Sequence, residues 1–311
     1  MSNYNFYWHI YKNLEKEVIE LSNVIHFSDD QLKVYSTYIA DLLVRCSIEI
    51  ESISKEFYNK ICEKTDSIDK KNLYFDTDCL DLLEKKWNIG KRKVIVSAPT
   101  FYFSDKNKIF SPLHKAHIRG SKGSKWKRAY QAVKHDRKNS LEKGSIENLL
   151  HAMGALYILN IYYKDEVIKL RNKIDSFDNI AGSDIFSVLS YDAATLTMTS
   201  RIGDFIISDE KANLDEYVYI IRYDDNTVEN LCTNFRKDAE ISRKRFDQSV
   251  EVCNYLKSNP NYKIESIEKT CCDMGREDLI EEFKCWQNSL KFNNCRYEVI
   301  LNKNEKIYPK L

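Results

Sequence analysis

Apolar residues recur at three- and four-residue steps through most of the first half of the chain, a pattern typical of amphipathic helices. The spacing predicts a first helix over residues 3–27 and a second over about 29–64, with Ser28 as its N-cap. A short helix over 77–88 follows. A further helix after Ser145 is apolar on almost every side, so we expect it at the centre of a bundle or at a subunit interface.

Strand-like patterns interrupt the helices in two places. Segments 93–103 and 108–113 are rich in β-branched and aromatic residues and flank a polar SDKN turn, which predicts a hairpin insertion. After about residue 178 the apolar period shortens to that of strands in four short segments, and we expect these to form a small antiparallel sheet. Helices are predicted again over about 228–257 and 264–290, before a last strand in the segment RYEVILN.

These elements give a fold class that is mainly α (α+β overall). A helical bundle with the hairpin insertion is expected over residues 1–178, and a smaller α+β accessory domain of unknown role over 182–311. With 311 residues, 43% of them apolar, and only four prolines, the chain is long enough and apolar enough for a substantial core. Neither a run of about 18 apolar residues nor a secretion signal is visible, so we expect a cytoplasmic protein with no membrane partner.

The nine cysteines are odd in number and scattered, so buried thiols are expected. Cys271, Cys272, Cys285 and Cys295 lie near one another but lack the paired CxxC spacing that structural zinc sites use. Gly-rich phosphate loops and GxSxG motifs are also missing from the sequence. We therefore predict no metal and no cofactor.

One stretch of the chain is strongly basic, residues 119–138 with sequence RGSKGSKWKRAYQAVKHDRK. It carries eight Lys and Arg side chains against a single acid, although the formal net charge of the whole chain is only +1. Glycine and serine fill its first part, and from Trp126 onward nothing breaks a helix until about Asn139. A basic loop that leads into a basic helix is predicted, and its glycines and like charges favour a mobile loop.

Three polar residues of this helix, Arg128, Gln131 and His135, are spaced to share one face over two turns. An imidazole can move a proton near neutral pH, and a fixed guanidinium can hold a phosphate as charge develops on it. Cleavage of RNA without a metal requires both abilities. An exposed basic helix whose histidine is hydrogen-bonded for structural reasons would show the same spacing. The catalytic and the structural interpretation therefore both remain open.

The same residues resemble the HEPN superfamily, whose loose signature is an Arg, four to six residues and then a His. Arg128 and His135 have six residues between them. The segment WKRAYQAVKHDRK and the apolar helix IENLLHAMGALYILNIYY that follows look like HEPN-like proteins of bacterial anti-phage and toxin loci. The resemblance covers about residues 1–170. It implies an α-helical bundle that dimerises, so that two Arg/His helices face one RNA cleft.

Catalytic members of this family are metal-independent endoribonucleases in which the ribose 2′-OH attacks the adjacent phosphate. By this resemblance His135 would transfer the proton and Arg128 would hold the phosphate. Such members usually have a polar residue directly after the Arg, and this chain has Ala129 there. The remaining predicted RNA contacts are Arg119, Lys122, Lys125, Lys127, Gln131, Lys134 and Arg137.

An acid from the second helix is a further candidate for the site. Glu49 lies one step from the apolar stripe of that helix, whereas Glu51 lies on its far side, so Glu49 is the better candidate to orient His135 or to pair with Arg128. A surface ion pair between Glu49 and Arg45 is the alternative.

Three functional hypotheses follow. The first is a HEPN-type endoribonuclease acting in anti-phage defence or as a toxin, as a homodimer, with a regulatory protein or antitoxin as a further partner. The second is a non-catalytic HEPN-like module that binds RNA, a nucleotide or a protein, which Ala129 favours. The third is a scaffold whose basic stretch docks on an acidic protein. Salt dependence and pH dependence distinguish phosphate binding from catalysis by His135.

Overall fold

Helices dominate the chain, as the apolar spacing predicts. The computed structural model describes residues 5–62, 73–170, 177, 182–194, 198–201, 204–207, 214–288 and 295–308. The α-helices within these ranges are α1 (Phe6–Ser22), α2 (Thr37–Cys62), α3 (Asp81–Trp87), α4 (Asp105–Lys108), α5 (Lys125–His135), α6 (Arg137–Ser140), α7 (Ile146–Lys164), α8 (Asp225–Gln248), α9 (Val250–Ser258), α10 (Ile267–Asp273) and α11 (Leu279–Phe283). The strands are β1 (Val94–Val96), β2 (Ile109–Phe110), β3 (Ile168–Leu170), β4 (Phe186–Val188), β5 (Ser190–Asp192), β6 (Met198–Arg201), β7 (Asp204–Ile207), β8 (Tyr219–Tyr223) and β9 (Tyr297–Leu301).

The all-apolar helix α7 lies at the centre of the bundle, one of the two positions predicted for it. The Ser145 hydroxyl accepts a hydrogen bond from the Asn148 N–H and so caps the start of this helix. Helices α1, α2 and α5 all pack against α7, and residues from each of them belong to the same buried core. A helix that is apolar on every side can be stable in water only when neighbours cover it in this way.

The first two helices differ from their predicted bounds. Helix α1 ends at Ser22 rather than near residue 27. The predicted cap Ser28 donates its hydroxyl hydrogen bond to Gln31 instead, and only a short 3-10 turn follows it. Backbone carbonyls of Leu32 and Val34 accept hydrogen bonds from the N–H groups of Glu147 and Ile146, at the start of α7. This tertiary pairing holds the segment in a non-helical conformation, and α2 begins only at Thr37.

Helical structure forms between α2 and the hairpin, close to the helix predicted over residues 77–88. A π-helical turn over Phe75–Leu80 leads into α3. The helix ends with Asn88 in the left-handed region, at φ 52°. Asparagine adopts this conformation more readily than most residues, which explains the stop.

The predicted hairpin insertion is confirmed. Strands β1 and β2 pair antiparallel, with Val94 opposite Phe110. The SDKN segment between them forms the short helix α4 rather than a turn. The neighbouring Asp29 carboxylate accepts hydrogen bonds from Ser104 N–H at 3.2 Å and from Asn107 Nδ2 at 3.0 Å, which ties this connection to the end of the bundle.

The strands of the second half do not form the single antiparallel sheet that we predicted. Strand β4 leaves them and pairs with β1, so the hairpin becomes a three-stranded sheet in the order β2-β1-β4. A second sheet has the order β3-β9-β8-β5, and its β5 and β8 run parallel. Strands β6 and β7 form a separate antiparallel pair. The predicted last strand is confirmed as β9, at the centre of the second sheet.

The buried core crosses the predicted domain boundary, most of which lies outside the described residues. Ile185, Phe186 and Val299 are fully buried in the same cluster as α2 and α7. The Glu15 carboxylate on α1 accepts hydrogen bonds from Tyr11, Lys12 and Ser183 and from the Asp184 and Ile185 backbone N–H groups. A buried carboxylate with this many donors fixes the start of β4 on the bundle.

A buried arginine makes a second connection across the chain. Arg92 is 1% exposed, and its guanidinium donates to Tyr162 Oη at 3.0 Å and to the carbonyl oxygens of Trp87, Leu214, Asp215 and Asn302 at 2.5–3.3 Å. No carboxylate among these partners neutralises the charge, so aligned carbonyl dipoles stabilise it. The five donors join α3, α7, residues 214–215 and the end of β9.

Helices α8 to α11 form the outer part of the chain and have a small core of their own. Helix α8 begins against the second sheet, and its far end packs Phe246 with Val252, Cys271, Leu279 and Phe283. The helix predicted over 264–290 is divided into α10 and α11, and Trp286 lies beyond them, half exposed.

Arg92→Lys should destabilise the protein by about 3 kcal/mol, because one ammonium cannot satisfy acceptors that five guanidinium N–H groups reach from different directions. Urea unfolding followed by far-UV circular dichroism measures this. Arg45→Lys is the matched control, since Arg45 is 43% exposed and pairs with Glu17 on the surface. Its effect should stay below about 1 kcal/mol. An equal effect of the two substitutions would contradict the role given to Arg92.

Candidate nucleic-acid interface

Helix α5 carries the basic stretch and has one buried and one exposed face. Trp126, Ala129, Tyr130 and Val133 are buried against the bundle, and the Trp126 indole N–H donates to the Pro112 carbonyl oxygen at 2.8 Å. Arg128 and His135 are exposed on the opposite side, with Gln131 half-buried between them. The predicted shared face of these three residues is therefore consistent with how the helix packs.

Burial explains the residue that departs from the catalytic pattern of HEPN proteins. Ala129 is 3% exposed and belongs to the main core. A polar side chain at this position would be buried without an evident partner, which costs about 1–3 kcal/mol. Alanine therefore suits the way this helix packs, whatever the chemistry of the neighbouring Arg128.

A buried ion pair fixes the start of the helix and the loop before it. The Lys127 ammonium is 4% exposed and donates to Asp76 Oδ2 at 3.1 Å, to the Ala116 carbonyl at 2.8 Å and to the Ile118 carbonyl at 2.7 Å. Arg119 donates to the other Asp76 oxygen at 2.6 Å. All three Lys127 donors are used, so this predicted RNA contact has no free donor for a phosphate.

The electrostatics of Asp76 agree with this role. Burial opposes ionisation of its carboxyl group, but hydrogen bonds from Arg119, from the Thr77 backbone and from Lys127 outweigh it and lower the pKa of Asp76 to about 2. The Arg119 guanidinium also lies over the Tyr74 ring, with its carbon 4.1 Å from the ring centroid. The carboxylate is therefore ionised at neutral pH and holds two cations of the basic stretch.

The loop before α5 is packed, although its glycines and charges predict mobility. Residues Gly120–Lys122 form a 3-10 turn, and the Ser124 N–H donates to the Lys115 carbonyl at 3.2 Å. A Cβ at Gly123 would lie 2.3 Å from the Ile118 carbonyl oxygen. The glycine at this position therefore permits a close backbone approach, which is a structural reason for it rather than a sign of flexibility.

Two further cations of the stretch have partners. Lys125 pairs with Glu147 of α7 at 2.6 Å, and Lys134 donates to the Tyr130 hydroxyl at 2.9 Å. Asp136, the one acid in the stretch, accepts a hydrogen bond from the Asn139 N–H at 3.3 Å and caps α6. Its charge is used locally at a helix start.

Four cations remain without an ion pair or hydrogen bond in the described part of the chain: Lys122, Arg128, Arg137 and Lys138. His135 is also exposed and makes no hydrogen bond to any described residue. These five side chains are therefore the members of the basic stretch that are free to meet a ligand. We call them the free basic face.

The two candidate acids of α2 lie on opposite flanks. Glu49 lies near Tyr7 of α1 and Cys46, and it contributes to the raised pKa of both groups, for which burial is the larger cause. Burial also raises the pKa of Glu49 itself. Glu51, and not Glu49, lies beside α5. Burial is the main cause of the raised pKa of Tyr130, and Glu51 adds to it.

The arrangement differs from the expectation because α2 is buried over a wide arc. Ser47 and Ser54 are at most 1% exposed, and they share the flank of Glu51 at helical spacing. Helix α5 packs against α2. Arg45 donates to both Glu17 oxygens at 2.7 Å, so the alternative, an ion pair of Arg45 with Glu49, is not formed among the described residues.

Sequence reasoning missed Asp76 as part of the basic site. It is 51 positions from Lys127, and no spacing rule connects residues so far apart. Ser124 was missed too, although its place between a glycine and a basic helix is a usual signal for an N-cap.

No protein-family model, curated protein or solved structure matches this chain. Among the described residues, none of the helices is both long and apolar enough to cross a membrane. Nor does that part of the chain contain a group of three or more His, Cys, Asp and Glu side chains arranged to hold a metal ion.

Asp76→Ala should destabilise the protein by about 3 kcal/mol, because it leaves the Lys127 ammonium buried without its counter-charge. Asp81→Ala is the control, since Asp81 pairs with a lysine that is 74% exposed. This control should cost less than about 1 kcal/mol. Thermal and urea unfolding of both variants measure the difference, and equal losses would rule out a special role for Asp76.

Acid sensitivity tests the same ion pair. The folded pKa of Asp76 is about 2, below the value of about 4 expected for an unfolded chain. Its contribution is therefore complete above about pH 4 and is lost as the pH falls towards 2. Asp76→Asn should make the fall in unfolding free energy across this window less steep than in the wild type. An unchanged slope would show that Asp76 is not stabilised as an ion.

Proposed function

We propose that this protein binds RNA through the free basic face and cleaves it without a metal, as an endoribonuclease of the HEPN type. The proposal rests on one observation: some side chains of the basic stretch are held by partners within the protein, and others are not. Asp76, Glu147 and Tyr130 hold Arg119, Lys125, Lys127 and Lys134, whereas Arg128 and His135 stay exposed on one face and have no side-chain partner among the residues that the structure describes. Exposed unpaired cations beside a histidine suit a phosphodiester backbone.

Helix geometry permits both side chains to reach one phosphate. They are seven positions apart, which corresponds to a rise of about 10 Å along the axis. Both side chains tilt towards the N-terminus of the helix, so the tilt leaves this distance unchanged, and the length of the flexible arginine side chain spans it. Arg128 can then hold the non-bridging oxygens of a phosphate while the imidazole lies near the ribose.

The proposed reaction is a transesterification. The ribose 2′-oxygen forms a bond to phosphorus and gives its proton to a base, and the bond from phosphorus to the 5′-oxygen breaks as that oxygen takes up a proton. The products are a 2′,3′-cyclic phosphate and a 5′-hydroxyl. Arg128 stabilises the charge that develops on the phosphate, and His135 serves one of the two proton transfers.

A second group is needed for the other proton transfer. The resemblance to HEPN proteins implies a homodimer, in which His135 of a second copy would supply it. The same resemblance suggests a role in anti-phage defence or as a toxin, restrained by a regulatory protein or antitoxin. These partners belong to the proposal together with the RNA.

A non-catalytic RNA-binding module is the second candidate, and one observation favours it. His135 has no hydrogen-bond partner among the described residues that would orient its ring. Catalytic histidines are commonly held by such a partner, and the nearby acid Glu51 lies beside Tyr130 instead. In this case the free basic face would bind phosphates, and affinity would fall steeply as salt rises.

The deciding experiment is cleavage of mixed cellular RNA by the purified protein in excess EDTA, with analysis of the product ends. Wild type should leave 2′,3′-cyclic phosphate ends. His135→Ala should slow cleavage by at least about 100-fold, because the proton-transfer group is lost. Arg128→Ala should act similarly through lost charge stabilisation.

Matched substitutions separate the site from general effects. His26→Ala and Arg236→Ala remove an exposed histidine and an exposed arginine outside the basic stretch, and both should cleave like the wild type. If wild type binds RNA in a salt-dependent way but leaves it intact, the binding-module candidate replaces the endoribonuclease. Cleavage that persists in both His135→Ala and Arg128→Ala would place the activity elsewhere.

A further inference from the structure

The approach to α5 repeats the same three residues. Residues 120–125 read Gly-Ser-Lys-Gly-Ser-Lys, and the second triplet ends at the first residue of the helix. Gly123 lies directly against the Ile118 carbonyl, so the backbone makes a tight turn immediately before the helix. Glycine-rich backbone that leads into a helix N-terminus is a common arrangement for phosphate binding, because backbone N–H groups converge there.

The residue at the start of the helix has an unused polar group. Ser124 is the N-cap of α5 and is only 8% exposed, yet its side chain caps no backbone N–H. Its hydroxyl is buried and has no hydrogen-bond partner in the described part of the chain. Ser145 and Ser249, which cap α7 and α9, both accept a hydrogen bond from their helix. An orphaned hydroxyl costs free energy, so a ligand that satisfies it would be favoured.

Other donors lie at the same place. The first hydrogen bond that enters the helix runs from the Arg128 N–H to the Ser124 carbonyl at 3.2 Å. The N–H groups of the first turn therefore have no partner within the helix. Lys122 is exposed and makes no ion pair with a described residue, and Lys125 is 61% exposed beside Glu147. The helix dipole adds partial positive charge at this end.

We propose that the N-terminus of α5 is a phosphate-binding site, formed by the Ser124 hydroxyl, the free N–H groups of the first helical turn and the Lys122 ammonium. It rests on the proposed function in taking RNA as the source of the phosphate. The site lies at the opposite end of α5 from His135. It would hold one phosphate of the strand, either a terminal monoester or an internal diester, and so fix the register of the RNA along the free basic face.

Titration of inorganic phosphate into the full-length protein, followed by phosphorus NMR, tests the site without RNA. Ser124→Ala should weaken binding by about tenfold, since a hydrogen bond to a charged oxygen is lost. Ser121→Ala is the matched control from the first triplet, where the serine is exposed, and it should bind like the wild type. The thermal midpoint of free Ser124→Ala should not fall, because the hydroxyl stabilises nothing in the free protein.

A lowered midpoint with unchanged phosphate binding would overturn the proposal, since Ser124 would then be an ordinary cap. No measurable binding of phosphate to the wild type, or equal binding by the wild type and Ser124→Ala, would overturn it as well. A comparison of short RNAs with a 5′-phosphate and a 5′-hydroxyl identifies the source: tighter binding of the former indicates a terminal monoester, and equal Ser124-dependent binding indicates an internal diester.

His135→Ala separates this proposal from the proposed function. The part of the phosphate binding that Ser124→Ala removes should persist in His135→Ala, because His135 lies at the far end of the helix from Ser124. Failure of the cleavage experiment would leave this binding unaffected, and failure of the phosphate titration would leave cleavage by His135 and Arg128 standing.

Discussion

The buried pair of Asp76 and Lys127 is the interaction on which the rest of the basic site depends. It joins the π-helical turn before α3 to the first turn of α5, and the same carboxylate holds Arg119. A charge taken out of water needs a partner and full hydrogen bonding, and Lys127 has both. With one side of the stretch fixed in this way, α5 must direct Arg128 and His135 outward, and the free basic face follows from the packing.

The parts of the fold that could be predicted are those where local sequence signals and tertiary packing favour the same structure. Helix α7 has an apolar surface all round and a serine cap, and the structure places it at the centre. The start of α2 shows the opposite case. Ser28 and two acids are good helix-start residues, yet Leu32 and Val34 use their carbonyls to pair with the start of α7. Strand β4 likewise pairs with β1, about ninety residues earlier in the chain, and periodicity carries no information about such partners.

The candidate site likewise has features that follow from local sequence spacing and features that depend on tertiary packing. The exposed face of Arg128, Gln131 and His135 follows from a 3.6-residue period and could be predicted from spacing alone. The pairing of Lys127 with Asp76, and the position of Glu51 rather than Glu49 beside α5, depend on how helices pack against each other. Charge counted along a sequence also overstates the charge offered to a ligand, because acids from other elements hold Arg119, Lys125 and Lys127.

The paired side of the basic stretch stabilises the fold, and its free side is the proposed contact with RNA. Lysine acetylation followed by mass spectrometry, on the protein with and without RNA, tests it most directly. Lys122 and Lys138 should react readily in the free protein and become protected by RNA, Lys127 should stay unreactive in both, and Lys237 on α8 should react equally in both. Ready acetylation of Lys127 in the folded protein, or RNA that leaves Lys122 and Lys138 unprotected, would contradict the account.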